Sequence, residues 1–319
     1  MPETKKEDGL TLTVLGCGTL GTGILAGIMD SLTSSSSDSD SQDETLPPRL
    51  PTKFNACVRR PASAKRIESE LSKYSVPLQT YTSDNIPAVQ AADVVILGCK
   101  PYMASGLLSE PAMRDALHGK LLLSICAGLT VESIEAMLYP DQTHAQILDA
   151  RGTTVVRVMP STASKVRESM TVIAASEPPL EDATTALIEW IFTRVGRVVT
   201  LPAGNMDAAT ALCGSGPAFM AVVLEAMADG AVAMGIPRAD AQMMAAQTMR
   251  GTTGLVLSGG EHPAILKDKV STPGGCTIGG LMVLEEGAVR GTVARAVREA
   301  TVVASQLGQG AKLVNGTRH

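Results

Sequence analysis

The stretch LTLTVLGCGTLGTGILAGIMD, residues 10–30, constrains the fold more than any other part of the chain. Its first six residues read as a short buried strand, and helical spacing of apolar residues begins at Thr19. Between them stands G-x-G-x-x-G, written GCGTLG over 16–21. A glycine triplet alone is a weak signal. Placed between a strand and a helix at the opening of a domain, it predicts a dinucleotide cradle. In that reading Gly16 allows the tight turn, Gly18 the close approach of a pyrophosphate, and Gly21 the packing of helix on strand. Cys17, Thr19 and Leu20 complete the loop, with the phosphates at the helix N-terminus.

Strands alternate with helices through the rest of the first half. Apolar runs at 53–58, 93–100, 120–128, 153–160, 169–175 and 197–201 read as strands. PASAKRIESELSKY, with Pro61 in its first turn, TVESIEAML and LEDATTALIEWIFTRVG read as helices. This alternation predicts an α/β fold, a Rossmann-like parallel sheet covered on both faces. SLTSSSSDSDSQDETLPPRLP, residues 31–51, lacks apolar periodicity and reads as a disordered or extended insertion.

The character changes after Pro202. From Met206 to Gly308 only helical patterns follow. AFMAVVLEAMADGAVAMG and AQMMAAQTMRGTTGLVL are apolar nearly all round, so they need burial on most sides. In a segment this short the simplest cover is a second copy. The expected division is a dinucleotide-binding domain over 1–203 and an all-helical dimerisation and substrate domain over 204–319.

Several function classes fall away. The chain of 319 residues carries a net charge of −5, with no basic stripe interleaved with aromatics, which argues against nucleic acid. No uncharged apolar run is expected to reach membrane-spanning length. The opening MPETKKEDG is charged and has no apolar core of a signal peptide, so a cytoplasmic location is expected. The six cysteines include no C-x-x-C pair and the four histidines show no ligand spacing, so no metal site is expected. Each cysteine reads as a small buried apolar residue.

The end of the second strand selects the cofactor. A site for NADH places an acid there to hold the ribose hydroxyls. ACVRRPASAK has none, and offers Arg59, Arg60, Ser63 and Lys65 instead. Guanidinium groups suit a phosphate dianion, so NADPH is preferred, with NADH possible. Ligands gather at the carboxyl ends of parallel strands, which adds Lys100 and Pro101 from CKP, and Ala127 and Gly128 from CAG. Asn85, in TSDNIPA, is a further cofactor candidate.

A second anion site is written in DKVSTPGGCTIGG, residues 268–280. Thr272 and Thr277 flank a Pro-Gly-Gly turn just before a helix, where backbone N–H groups converge. The candidates for holding a substrate carboxylate are Thr272, Gly274, Gly275 and Cys276, with Thr277 beside the reacting group. In MDAATALCGSGPAF, glycines 214 and 216 and Pro217 interrupt a helix pattern, which implies a kink or a site wall.

With these motifs in place, the chain resembles the pyrroline-5-carboxylate reductase family. GCGTLGTGIL, VVILGCKP, SICAGLT, VVRVMPST, VGRVV, MDAATALCGSGPAF and DKVSTPGGCTIGGLMVLEEG stand in the family's order and span nearly the whole chain. The resemblance implies reduction of L-1-pyrroline-5-carboxylate to L-proline by NAD(P)H, the last step of proline biosynthesis. It implies intertwined helical domains in a homodimer, and higher assembly such as a decamer. Thr277 is then the catalytic candidate, orienting the ring nitrogen. The family usually reads R-x-M-P-N-T, and this chain has Ser161 in place of the Asn. The competing readings are a reductase of a related cyclic imine, expected to turn over larger rings, and a non-catalytic dinucleotide-binding protein, expected to lack Thr277 or an open cradle.

Overall fold

A computed structural model describes residues 9–34, 46–308, 314, 316 and 317. Eight strands form one sheet: β1 Leu10–Leu15, β2 Pro51–Val58, β3 Leu78–Thr82, β4 Val94–Leu97, β5 Leu121–Ser124, β6 Thr154–Met159, β7 Ser169–Ala174 and β8 Gly196–Leu201. Their order is β3-β2-β1-β4-β5-β6-β7-β8. The first six run parallel, β7 runs antiparallel to β6, and β8 runs parallel to β7. The reversal has a simple cause. Residues 160–168, between β6 and β7, are too few for a parallel crossover, which needs about a dozen or more. β3 is absent from the sequence reading. It is an edge strand, LQTYT, half exposed throughout, and so carries no apolar run.

Chain periodicity builds the core. Along β1, Leu10, Leu12 and Val14 face one side of the sheet and Leu15 the other, as a period of two requires. On the first side the helices Thr19–Thr33, Pro61–Leu71 and Asp182–Thr193 cover Phe54, Ile96 and Val158. On the second side Pro101–Leu108, Pro111–Leu117 and Val131–Leu138 cover Val95, Leu97 and Leu122. The buried Thr13 hydroxyl donates to Ala88 O at 2.9 Å and accepts from Asn55 Nδ2 at 3.1 Å, so these inward polar groups are satisfied.

The boundaries of the Ser/Asp-rich insertion are narrower than expected. The first helix runs on to Thr33, because Leu32 still packs on the core, and β2 already begins at Pro51. Residues 35–45 of that stretch lie outside the described residues. Two cysteines also depart from expectation: Cys213 is half-buried and Cys276 is exposed, while the other four are buried.

By compactness the chain divides into Met1–Gly214 with Ala300–His319, and Ser215–Glu299. The second unit centres on the helices Gly216–Ala233 and Arg238–Leu257. Its buried cluster is made of alanines 228, 241 and 245, which let two helices approach closely. Large apolar side chains lie outside that cluster: Val222 is 66% exposed, and Met243, Leu257 and Val283 are exposed as well.

The glycines and proline at 214–217 do not end the helix. Pro217 has no N–H to return to Cys213, four residues back, and the ladder passes through a π turn over Thr210–Ser215 instead. The helical stretch Ala203–Ala233 is therefore 31 residues long, with a mean hydropathy of 1.5 over its most apolar window. By length and composition alone it could cross a membrane, although Asp207 and Glu225 confine its uncharged run to residues 208–224. The apparent breaks in the sequence pattern hid a continuous helix.

Candidate active site

The carboxyl ends of β1, β2, β4 and β5 open into one cleft of about 720 Å³. Its cradle follows the glycine logic. Gly16 has φ +85, and a Cβ there would stand 2.7 Å from the Cys99 amide nitrogen. A Cβ on Gly21 would stand 2.8 Å from a Val14 methyl, so the helix lies directly on the strand. Nothing lies within 4 Å of a Cβ position on Gly18, the residue that caps the helix with no side-chain bond. The first turn of that helix has no acid, and its backbone bonding begins with Thr22 N–H donating to Gly18 O at 2.9 Å. The N–H groups of Thr19, Leu20 and Gly21 are thus left for an anion. The Cys17 N–H is spent on Cys57 O at 2.8 Å.

At the β2 end the cleft is lined by Arg59, Arg60, Ser63 and Arg66, and none of its lining residues is acidic. Arg66 is missing from the sequence reading. It follows Ser63 by three residues on the helix Pro61–Leu71, and that spacing puts both on one face. Lys65 is exposed and does not line the cleft. Lys100 and Pro101 at the β4 end, and Ala127 after β5, line it as expected. A dinucleotide fits this set: free amides for a pyrophosphate, open space over Gly18, and cations without a competing carboxylate.

Two cofactor candidates fall outside the lining. Asn85 occupies the cap position of the short helix Ile86–Gln90, where its carbonyl accepts from Val89 N–H at 3.1 Å. Gly128, with φ +77, serves a close approach: a Cβ there would stand 2.8 Å from Gly308 N, where the last helix, Val289–Gly308, ends. Thr162 lines the cleft without having been anticipated, whereas Ser161 is buried beneath it. Ser161 Oγ accepts from Ala163 N–H at 3.3 Å and its own N–H donates to Ser169 Oγ at 2.9 Å. A serine at this position therefore caps a turn.

The Pro-Gly-Gly turn belongs to the helical unit. Gly274 has φ +68, a left-handed conformation that favours glycine. Gly275 caps the helix Cys276–Glu286 and donates its N–H to Thr272 O at 3.0 Å. Its amide is therefore taken by the turn, which corrects the expectation that Gly275 offers its N–H to the substrate carboxylate. A Cβ on Gly275 would collide with Thr272 Oγ1. Cys276 and Thr277 hold the first two helical positions, where N–H groups lack intrahelical acceptors. Thr277 is thus not the cap of this helix. It is half-buried and lines a mainly apolar pocket of about 260 Å³ with Thr252, Leu255, Lys267 and Leu281.

A doubly covered, mostly parallel sheet with an acid-free cleft at its carboxyl edge, opened by a glycine cradle, defines a Rossmann-like dinucleotide-binding fold. Residues 203–307 match the family described as pyrroline-5-carboxylate reductase dimerisation, and residues 11–128 match NADP oxidoreductase, coenzyme F420-dependent. The pyrroline-5-carboxylate reductase of Lophium arboricola is 62% identical over 322 residues, covering 100% of both chains. That of Neurospora crassa is 56% identical over 335 residues, covering 100% of this chain and 99% of its own. Among solved structures, the Plasmodium falciparum pyrroline carboxylate reductase with NADP bound superposes with a TM-score of 0.73 at 24% identity, covering 94% of this chain and 98% of that one. The chain belongs to the pyrroline-5-carboxylate reductase family.

Proposed function

We infer that this chain reduces L-1-pyrroline-5-carboxylate to L-proline, with NADPH preferred over NADH. The observation that carries the reaction is 62% identity over the full length to a reductase of that name, with the cradle and the Pro-Gly-Gly-x-Thr turn both intact. When bound, the dinucleotide supplies the hydride that the imine carbon accepts.

The chain's own residues bind and orient. The amides of Thr19 to Gly21 hold the pyrophosphate, and Arg59, Arg60 and Arg66 hold the additional phosphate that distinguishes NADPH. The amides of Cys276 and Thr277, at a helix start without an acid in its first turn, take the substrate carboxylate, with Thr272 adding a hydroxyl. Gly274 and Gly275 shape that turn. The Thr277 hydroxyl both donates and accepts, so it can follow the ring nitrogen as the imine becomes an amine. A threonine hydroxyl is too weak an acid to be the main proton source at neutral pH. Its part is orientation, and fixing a small ring is a large share of such a reaction.

We further propose that the functional division lies near residue 203, and that the helical segment works as a homodimer, with larger assemblies built from dimers. The exposed apolar side chains of the Ser215–Glu299 unit support this reading, and a partner copy is the cover proposed for the apolar stretch Ala203–Ala233.

The test is the oxidation of NADPH and of NADH by purified protein, with pyrroline-5-carboxylate present or withheld. Substrate-dependent oxidation, faster with NADPH, is expected. Faster oxidation of NADH would remove the cofactor preference. No oxidation with either, in protein that binds nucleotide, would redirect the substrate to another cyclic imine.

A further inference from the structure

We propose that Cys99 and Cys126 form a modification site in the floor of the nucleotide cleft, a dithiol that a peroxide closes into an intrachain disulfide when no nucleotide is bound. β4 and β5 are parallel neighbours in the register Leu97↔Ser124, and Ile125 N–H donates to Leu97 O at 3.0 Å just beyond it. Cys99 and Cys126 each follow that last pair by two residues, just past the ends of their strands. Neighbouring strands lie about 4.8 Å apart where they end, and a disulfide spans roughly 4.4–6.8 Å between Cα atoms. The Cys126 Sγ lies 3.2 Å from Cys99 O and 3.4 Å from Leu97 O, so the side chain already turns toward the neighbouring strand.

Both residues line the cleft although they are only 9% and 2% exposed. Access is therefore through the nucleotide's own space, open to a small oxidant and closed to a bulky one.

The chemistry separates these two from the other buried thiols. Burial pushes Cys17 and Cys57 up to about 12, and burial raises Cys213 too, so these remain protonated and unreactive. The neighbouring Cys126 thiol holds Cys99 below the usual thiol range, while Cys99 and burial raise Cys126 itself. Cys99 is then the attacking sulfur and Cys126 the resolving one. The Cys99 thiolate attacks one peroxide oxygen, the O–O bond breaks, and hydroxide leaves and takes a proton to become water. The Cys126 sulfur attacks the resulting sulfenic acid, the S–S bond forms, the S–O bond breaks, and a second water departs with the Cys126 proton. Two electrons pass from the sulfur pair to the peroxide.

Cys99 directly precedes Lys100 and Pro101, and Cys126 directly precedes Ala127, all in the cleft lining. Linking the two sulfurs ties the cleft floor where a nucleotide would rest, and a bound nucleotide covers the sulfurs. This protection rests on the nucleotide-cleft reading and not on the identity of the substrate.

The full chain is treated with hydrogen peroxide, with and without NADP+, then alkylated, digested and mapped by mass spectrometry. The expected product is a peptide pair linked through Cys99 and Cys126, released by dithiothreitol. Its rate of formation should fall about 100-fold with NADP+ at 100 times its dissociation constant. Cys126→Ala should give no linked pair and carry Cys99 to sulfinate. Full alkylation of Cys99 and Cys126 after peroxide, with the exposed Cys276 oxidised instead, would overturn the site. Linkage at an unchanged rate with NADP+ demonstrably bound would overturn the gating. Absence of NADP+ binding by calorimetry would instead strike the nucleotide reading, and the linked pair would still be decided by the mapping without ligand.

Discussion

The nucleotide-binding unit and the Ser215–Glu299 unit spend their apolar residues in opposite ways. The first buries Phe54, Phe192, Leu12, Ile24 and Leu97 within its own chain, on two faces of a sheet. The second centres its buried cluster on alanines and leaves many methionines, valines and leucines exposed, Met243, Val222 and Leu257 among them. At roughly 25 cal/mol per Å² of apolar surface removed from water, the first unit draws its stability from itself. The second leaves an unburied apolar surface that a single chain does not cover. The lesson is that hydrophobic composition alone does not say where a core lies, only that one must form.

The largest effect expected from this contrast is on Phe192. Truncation to Ala should cost about 3–5 kcal/mol in urea melts of the nucleotide-binding unit. Val222→Ala, measured in dilute unassembled chain, should change stability by less than about 0.5 kcal/mol. Equal losses at both positions would break the contrast.

Next, Thr277→Ala should lower kcat by roughly 10- to 1000-fold, whereas Thr277→Ser should retain much more activity. Equal, small losses in both would leave the helical unit without a chemical role. Val222→Glu should weaken self-association by roughly 100-fold, since a charge would have to enter an apolar contact. Sedimentation of the variant at the wild-type mass would show that this face is not the one covered.

A smaller change is expected at the nucleotide end. Arg60→Ala should raise the dissociation constant for NADPH by roughly fivefold and leave NADH nearly unaffected, because a solvent-screened charge pair is worth about 1 kcal/mol. Equal weakening of both would mean that Arg60 meets a part common to the two.

The smallest effect concerns the exposed His144 and its buried partner, Glu135. His144 Nδ1 lies 2.9 Å from Glu135 Oε1, and its Nε2 lies 3.1 Å from Glu177 O. The hydrogen bond with Glu135 raises the imidazole above its ordinary value. The stabilisation is therefore complete below the unfolded histidine pKa and is lost as pH rises through the higher folded value. Glu135→Gln should flatten that part of the stability–pH curve, by under about 1 kcal/mol, because solvent screens the exposed imidazole of His144. A greater change would mean that part of the first unit's stability comes from charge rather than from its core.

Much of this was legible in the sequence because it was local. The cradle glycines carry their spacing with them, and the acid-free β2 end is visible as ACVRRPASAK. Arg66 escaped because it belongs to the cleft only through the phase of its helix. Gly128 stands in the cleft by the strand-end rule, but it meets the end of the last helix instead. Asn85 in TSDNIPA suits a cofactor contact or a helix cap equally, and it holds the cap position of a short helix. Gly275 was counted as an anion donor until its bond to Thr272 O was visible, since a turn's hydrogen bonds are not written in its residue types.

Alternation of apolar strands and helices, the glycine cradle, the arginine end and the Pro-Gly-Gly-x-Thr turn are properties of short windows, and the sequence by itself determined them. Tertiary structure decided the reversal at β7, the continuity of the helix through the π turn, and the contact of the Cys126 thiol with the Cys99 carbonyl. Those depend on how one strand is registered against another and how a backbone satisfies its own hydrogen bonds. Such constraints join residues far apart in the chain, where no local pattern records them.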